Sequence, residues 1–329
     1  MKRFSYILAG CTLLLALLTA AMPWGSPVVA GYLAPLGLLV IPLAIFSTLA
    51  TIIAVLYRSK GISLLFGIAC LISLFLCGKS WAISFETDKS TSHSLCLVSW
   101  NAEGFQLNKD TLQASAAFIQ NLHPDIICLQ ERPHDILLNR DSISTAFGYP
   151  YRVFNSREDE VLNLAVYSRF PLSNMKEYYF PNSYNKVLQI DLQYEGTTIR
   201  LFNMHLQTTG MTPAFQGNNL LHTYQLNAKE RNRQVQLLAE AIASSPYPII
   251  VCGDLNDTPI SYAYRKLTNK LKDCFLEAGN GWGGTYQPAR NLFRIDYTFC
   301  SPELRTSAYR LFSNCWSDHR VQYTIITQL

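Results

Sequence analysis

Several apolar runs in this chain stop abruptly at an acid, an amide or a histidine. "LVSWN" ends in Asn101 and "IICLQE" in Glu131, and "LFNMHLQ" carries His205. "IIVCGDLN" carries Asp254 and Asn256, "RIDY" carries Asp296, and "WSDHRV" carries Asp318 and His319. An unpaired carboxylate destabilises a buried strand, so each of these residues needs a partner, a metal or water. Strand ends in layered α/β folds converge on one rim, where ligands bind. Carboxylates with an amide suit a hard, oxygen-seeking Mg²⁺. A histidine buttressed by an acid suits proton transfer or charge stabilisation. Together they are the parts of metal-assisted phosphoester hydrolysis. Singly, each has a plainer reading. Asn101 can start a turn, Glu131 can pair with Arg132, His205 can be a satisfied structural histidine, and Asp318-His319 can be a surface dipeptide. Asp296, between Ile295 and Tyr297, is harder to dismiss, because an acid inside a strand is unusual.

The elements that must position these residues follow from periodicity. "LCLVSWN", "IICLQE", "LNLAVYSRFPL", "PIIVCGD", "FRIDYTFC" and "RVQYTIITQL" read as strands. "KVLQIDLQYEGTTIRLFNMHLQ" reads as two strands with a turn at Glu195-Gly196. "NKDTLQASAAFIQNLHPD", with Asp110 near its start and Pro124 past its end, predicts a helix, and "AKERNRQVQLLAEAIASS" a second. Strands alternate with helices early and hairpin-like pairs intervene later, so residues 95–329 form a mixed α/β domain of two packed sheets covered by helices.

Before that domain the composition changes. Residues 1–80 hold no Asp or Glu and five basic residues: Lys2, Arg3, Arg58, Lys60 and Lys79. Of 27 Lys+Arg, 22 (27 minus 5) therefore follow residue 80, against all 23 acids. The larger part is near neutral, which weakens the case for a basic nucleic-acid surface. "FSYILAGCTLLLALLTAAM", "GYLAPLGLLVIPLAIFSTLATIIAVLY" and "GISLLFGIACLISLFLCG" are apolar runs near bilayer-spanning length without a polar face. Residues 1–82 thus read as an anchor of about three transmembrane helices, and Phe85–Ser94, polar and rich in Ser and Thr, falls in a linker over 83–94.

Lys2, Arg3, Arg58 and Lys60 flank an uncharged 23–30 connection, so the positive-inside rule puts the N-terminus and the 58–60 turn in the cytoplasm. The chain is then an integral protein of the cytoplasmic (inner) membrane with residues after about 82 on the extracytoplasmic side. "LAGC" at Leu8–Cys11 is like a lipoprotein box, but too few apolar residues precede it and apolar sequence continues after it. A signal cleaved near Ala21 is the competing reading, and would leave the C-terminal part on the same side. The nine cysteines show no metal-type CxxC spacing and specify no disulfides.

The ordered set "SWN", "LQE", "MHL", "GDLND", "RIDY" and "SDHR" resembles the endonuclease/exonuclease/phosphatase (DNase I-like) superfamily over nearly all of residues 94–329. The resemblance implies a four-layer α/β sandwich with one catalytic rim. It implies Glu131 as the principal Mg²⁺ ligand, with Asn101 and Asp318 nearby, and Mn²⁺ as a substitute ion. Asp254 would orient or deprotonate the attacking water, and Asn256 and His205 would contact the phosphate. His319, held by Asp296, would be the paired base or electrostatic stabiliser; Asp254 and His319 titrate as one coupled site, leaving the base open. Extended i, i+2 spacing would let Asp254 and Asn256 share a phosphate, with Asp257 left to the turn.

The DNase I branch carries a second Glu before the strand matched by "NLAVYSR"; here Asn163 and Leu164 stand there, with Glu158 and Glu160 further back. An acid–histidine pair with His205 is therefore not expected. The "SREDE" run reads as a solvated loop. Thr208–Ala228 reads as an extended loop whose Met211, Phe215, Leu220, Leu221 and Tyr224 meet lipid or aromatic groups, or pack as a flap. The expected partners are a phosphoester (lipid headgroup, sugar phosphate or nucleic acid) and the bilayer. The competing functions are a nuclease with the same chemistry and a non-catalytic binding module on the same fold.

Overall fold

The computed structural model of the protein describes residues 2–84, 94–135, 138–157, 163–181, 183–210 and 219–328. Residues 85–93 of the expected linker, Glu158 and Glu160, and Met211 and Phe215 lie outside the described residues. The chain divides into two compact units. One takes in Met1–Trp81, Thr208–Arg233 and Asp257–Arg265; the other takes in Ala82–Gln207, Gln234–Asn256 and Lys266–Leu329.

The second unit is built on two six-stranded sheets. Its strands are β1 (Ser94–Asn101), β2 (Ile126–Arg132), β3 (Tyr151–Phe154), β4 (Asn163–Ser168), β5 (Leu172–Tyr179), β6 (Lys186–Tyr194), β7 (Thr197–His205), β8 (Ile249–Asp254), β9 (Lys272–Asp273), β10 (Asp296–Cys300), β11 (Leu304–Phe312) and β12 (Val321–Gln328). One sheet runs β11-β12-β1-β2-β4-β3 and the other β9-β10-β8-β7-β6-β5. Both are mixed: β1–β2 and β7–β8 are parallel, and the other pairings are antiparallel. The sheets pack face to face through Leu95, Leu97, Ile126, Cys128 and Val166 from one and Leu188, Ile190, Leu201, Ile250 and Cys252 from the other. On the outer face of the first sheet, Trp100, Ile127, Leu129 and Tyr167 pack with Leu112, Ala116 and Ile119 of α5 (Lys109–Asn121) and Ile143 and Phe147 of α6 (Arg140–Phe147). This is the expected arrangement of two mixed sheets flanked by helices. Asn108 caps α5 by accepting from the Asp110 and Thr111 amides, and Glu195 and Gly196, at φ 45° and 79°, turn β6 into β7.

The first unit holds α1 (Lys2–Ala21), α2 (Pro27–Leu33), α3 (Val40–Leu56) and α4 (Lys60–Gly78). Three of its helical stretches, Lys2–Trp24, Pro27–Leu56 and Lys60–Gly78, are long and apolar enough to cross a membrane by length and composition. Buried hydroxyls inside them are satisfied locally: Thr12, Thr19, Ser47 and Ser73 each donate to the carbonyl four residues back, at 2.7–2.8 Å. The first half of α7 (Leu220–Ala243) belongs to the same unit. Here the sequence reading needs correction, because the helix starts at Leu220 and not at Ala228. Asn219 accepts from the His222 amide at 3.0 Å, and Tyr224 and Ala228, one turn apart, are buried with Ala34. Tyr224 is thus a core residue, while Leu220 and Leu221 are exposed.

Candidate active site

The polar rim is a continuation of the apolar core, residue by alternate residue. In β1 the inward stripe runs Leu95, Leu97, Ser99, Asn101; in β7 it runs Ile199, Leu201, Asn203, His205. In β8 it runs Ile250, Cys252, Asp254, and in β10 from Cys300 through Thr298 to Asp296. β10 is antiparallel to β8 with Asp296 opposite Asp254, and β8 is parallel to β7 with His205 opposite Asp254. All of these ends therefore reach one rim. Between core and rim lies a hydrogen-bonded polar layer. Gln130 Nε2 donates to Asn203 Oδ1 at 2.7 Å, and Asn203 Nδ2 donates to the carbonyls of Leu129 and Ala165.

Glu131 reaches the rim differently. By alternation it falls on the stripe of Ile127 and Leu129, under the helices. Instead its φ is 53°, and the β2–β4 register shifts between Leu129 and Arg132. This bulge turns the carboxylate to the rim, where Oε1 accepts from Asn101 Nδ2 at 2.9 Å and lies 3.4 Å from His205 Nε2. Its sequence neighbour does not pair with it: Arg132 bonds Asp135 at 2.7 Å.

The structure brings all eight sequence-predicted residues together. Asp254 Oδ2 lies 3.2 Å from Asn101 Nδ2, 3.7 Å from His205 Nε2 and 3.9 Å from His319 Nε2. Asp296 Oδ2 holds His319 Nδ1 at 2.8 Å, and His319 Nε2 lies 3.7 Å from Asp318 Oδ1. The His319 amide donates to Ser317 Oγ, whose hydroxyl donates to the Asn101 carbonyl, and Trp100 Nε1 donates to the His319 carbonyl. The loop before β12 is thereby pinned to the end of β1. Asn256 departs from the expected i, i+2 alternation, because its φ is 55° and the chain is no longer extended there. Its amide donates to Asp254 Oδ1 at 2.7 Å and its Nδ2 to the Leu206 carbonyl at 3.0 Å. Asp257 belongs to the other unit, where Arg231 grips its carboxylate at 2.8 Å.

Burial dominates the electrostatics. It holds the His205 imidazole below its ordinary range, neutral, and the nearby carboxylate of Glu131 only partly opposes this. It pushes Asp254 well above the carboxylate range, reinforced by Asp296 opposite. It pushes Asp318 up to about 6, with His319 opposing and Glu103 and Glu131 adding to it. For His319, burial alone would lower the pKa, but Asp296, with Asp254 and Asp318 behind it, raises it to about 10. His205 Nδ1 and Asp296 Oδ1 are buried without a hydrogen-bond partner among the described residues. The first fits the missing acid partner of His205 noted in the sequence.

Crowded carboxylates that repel one another need a positive charge between them. Glu131, His205 and Asp254 each offer a ligand atom within 4.8 Å of the others, a donor set of oxygens and one neutral imidazole that fits a divalent cation. Asn101 turns its amide nitrogen to Glu131 and Asp254, while its Oδ1 accepts from the Glu103 amide at 3.1 Å.

Three neighbours were not anticipated. Glu103 Oε2 accepts from the Asp318 amide at 2.9 Å. Lys186, 1% exposed, stands opposite His205 in the β6–β7 ladder. Tyr286 packs against His319. Glu103 and Tyr286 are loop or single-turn residues without a strand-end pattern; Lys186 opens a strand, where a buried lysine was the only available signal.

A model of the endonuclease/exonuclease/phosphatase family matches residues 98–319. No curated protein matches the chain in sequence. Among solved structures, truncated TDP2 of Caenorhabditis elegans is similar at TM-score 0.56 and 19% identity, over 71% of this chain and 98% of that one. The human nocturnin catalytic domain with a bound sulfate anion is similar at 0.56 and 17%, over 73% and 95%. An endonuclease/exonuclease/phosphatase of Bacteroides vulgatus gives 0.54 and 16%, over 72% and 99%.

Proposed function

The chain belongs to the endonuclease/exonuclease/phosphatase family, and from that premise we propose that it is a Mg²⁺-dependent phosphoesterase tethered to a membrane. The observation that carries the reading is the convergence of Asn101, Glu131, His205, Asp254, Asp296 and His319 on one rim at hydrogen-bonding distances. Glu131 and Asp254 with His205 would hold the ion, with Asn101 and Asp318 beside them. When bound, Mg²⁺, or Mn²⁺ in its place, neutralises the phosphoryl oxygens and the charge that develops on them.

The chain's own residues do the rest. Asp254, beside the ion, orients the attacking water and takes its proton. His319 carries a proton held by Asp296 and stabilises negative charge on the transition state. Asn256 gives one amide hydrogen to Leu206 and has another for a phosphoryl oxygen. The nocturnin structure holds a sulfate anion, and an anionic tetrahedral group on the rim of this chain would fit the same reading.

A lipid or other surface phosphoester is the favoured substrate, because the near-neutral part after residue 80 lacks the basic excess of a nonspecific nucleic-acid binder. The three apolar helices would lie in the cytoplasmic (inner) membrane, with the catalytic part outside. The test is a panel of DNA, RNA, sphingomyelin and phosphoinositides offered with Mg²⁺ to the full-length protein in detergent. At least one ester should turn over, EDTA should stop it, and Asp254→Ala and His319→Ala should each lower it by about a hundredfold or more. Unchanged turnover after either substitution would sink the mechanism, and turnover of nucleic acid alone would replace the lipid substrate.

A further inference from the structure

Tyr286 lies in a loop, outside every motif that drew attention to the rim. Its position is nevertheless fixed from both sides. The Gln287 amide donates to the Asp318 carbonyl at 2.8 Å, the Arg320 amide to the Thr285 carbonyl at 2.9 Å, and Gln287 Nε2 to the Ser317 carbonyl at 2.6 Å. Tyr286 itself forms an antiparallel bridge with His319. Thr285 Oγ1 accepts from the amides of Ile295 and Asp296, both at 3.1 Å, tying the same loop to the start of β10. The loop is therefore held by the two segments that carry the His319–Asp296 pair.

The Tyr286 ring meets the His319 ring edge-on, with centroids 5.3 Å apart and planes at 60°. The residue is half-buried, and its hydroxyl has no hydrogen-bond partner among the described residues. Burial raises the pKa of this phenol, and the carboxylates of Asp318, Asp254, Glu103 and Glu131 raise it further. A phenol that keeps its proton beside the rim, with nothing in the protein to donate to, is a donor held ready for a ligand. Glu131, Asp254, Asp296 and Asp318 on the same rim are carboxylates, which repel an anion, so a neutral donor there adds to what His319 and Asn256 supply.

We propose that Tyr286 is a substrate-contacting residue whose hydroxyl donates a hydrogen bond to a phosphoryl oxygen of the ester, while its ring walls the site against His319. This rests on the phosphoesterase reading. The contact serves the transition state as charge gathers on the phosphoryl oxygens, so it acts more on kcat than on KM.

Tyr286→Phe tests it, because the substitution keeps the ring on His319 and removes only the donor. The full-length protein in detergent with Mg²⁺ is assayed on bis(p-nitrophenyl) phosphate and p-nitrophenyl phosphate, and its affinity for inorganic phosphate is measured by calorimetry. Where the wild type turns over either ester, the variant should lose about ten- to a hundredfold in kcat at an unchanged melting temperature. Wild-type kcat in the variant overturns the inference, as does a loss that comes with a lowered melting temperature. Where the wild type turns over neither ester, the phosphoesterase reading loses its support, and phosphate affinity decides the contact. About tenfold weaker binding in the variant upholds it; equal binding, or no binding by the wild type, overturns it.

Discussion

Glu131 and Arg132 carry opposite charges and find different partners. The left-handed φ of Glu131 sends its carboxylate to the rim, and Arg132 goes inward, fully buried. There its Nη1 donates to Asp135 and to the Pro133 carbonyl, and its guanidinium lies 5.3 Å from the Phe154 ring. Arg140 grips the other Asp135 oxygen at 2.8 Å. Removing one partner of a buried pair leaves the other charge uncompensated, so Asp135→Ala should cost about 3 kcal/mol at neutral pH. Burial pushes the Asp135 carboxyl up, but the hydrogen bonds from Arg132 and Arg140 outweigh it and hold the group below its ordinary range. A depressed carboxyl stabilises the fold fully above its unfolded value, about 3.9, and loses that contribution as pH falls through the folded value. The gap in denaturation midpoint between wild type and Asp135→Asn should therefore be constant from about pH 5 to 8 and shrink below about pH 4. An equal gap at pH 3 and pH 7 would refute the ion pair as its source.

At the scale of elements, the geometry of the candidate site depends on how closely β8 approaches β7. Gly253 has φ 126°, and a Cβ there would stand 2.0 Å from the Met204 carbonyl oxygen, its partner in the parallel ladder. Only glycine allows the approach that sets Asp254 beside His205. Gly253→Ala should lower stability by about 3 kcal/mol, through strain and displaced backbone. It should also lower turnover by about a hundredfold, because a displacement of roughly 1 Å is enough to misalign the attacking group. A variant with wild-type turnover would show that the close approach is not what places Asp254. The strands that carry the site were legible because each is an apolar stripe with a polar end, and two-residue periodicity survives burial. β3, β5, β9 and β11 were not anticipated: β5 has no buried residue and reads "LSNMKEYY", and an edge strand with one wet face carries no such stripe. Glu131 was identified from its place after "IICLQ", although alternation alone would have put it on the wrong face. Tyr286 and Glu103 could not be found the same way, because long-range hydrogen bonds to the 317–320 segment place them and no local pattern does.

At the scale of the whole molecule, the proposed tethering makes a topology prediction that charge bias and the packing inside the unit of apolar helices both bear on. In the unit that holds those helices, the segments 208–233 and 257–265 meet the connector between the first two of them. Gln225 Nε2 donates to the Tyr32 carbonyl, Asn232 Nδ2 to the Pro27 carbonyl, and Arg265 Nη1 to the Pro23 carbonyl. Lys229 Nζ sits 3.1 Å from the centroid of the Tyr32 ring and Arg265 Cζ 3.6 Å from that of Trp24. The connector from Pro23 to Ala30 bears no charge, whereas Lys2, Arg3, Arg58 and Lys60 gather at the opposite helix ends. If the helices span a membrane, the positive-inside rule would keep those basic ends in the cytoplasm, and the exposed Trp24 and Tyr32 would suit the opposite headgroup level. The proposal therefore predicts a definite topology for both ends of the helices. An alkaline phosphatase fused after Leu329, which is active only outside the cytoplasm, should be active. A reporter fused at the 58–60 turn should be inactive at equal expression. The reverse pair of results would place the rim in the cytoplasm and remove the outer-surface substrate, while leaving the chemistry of Asp254 and His319 untouched.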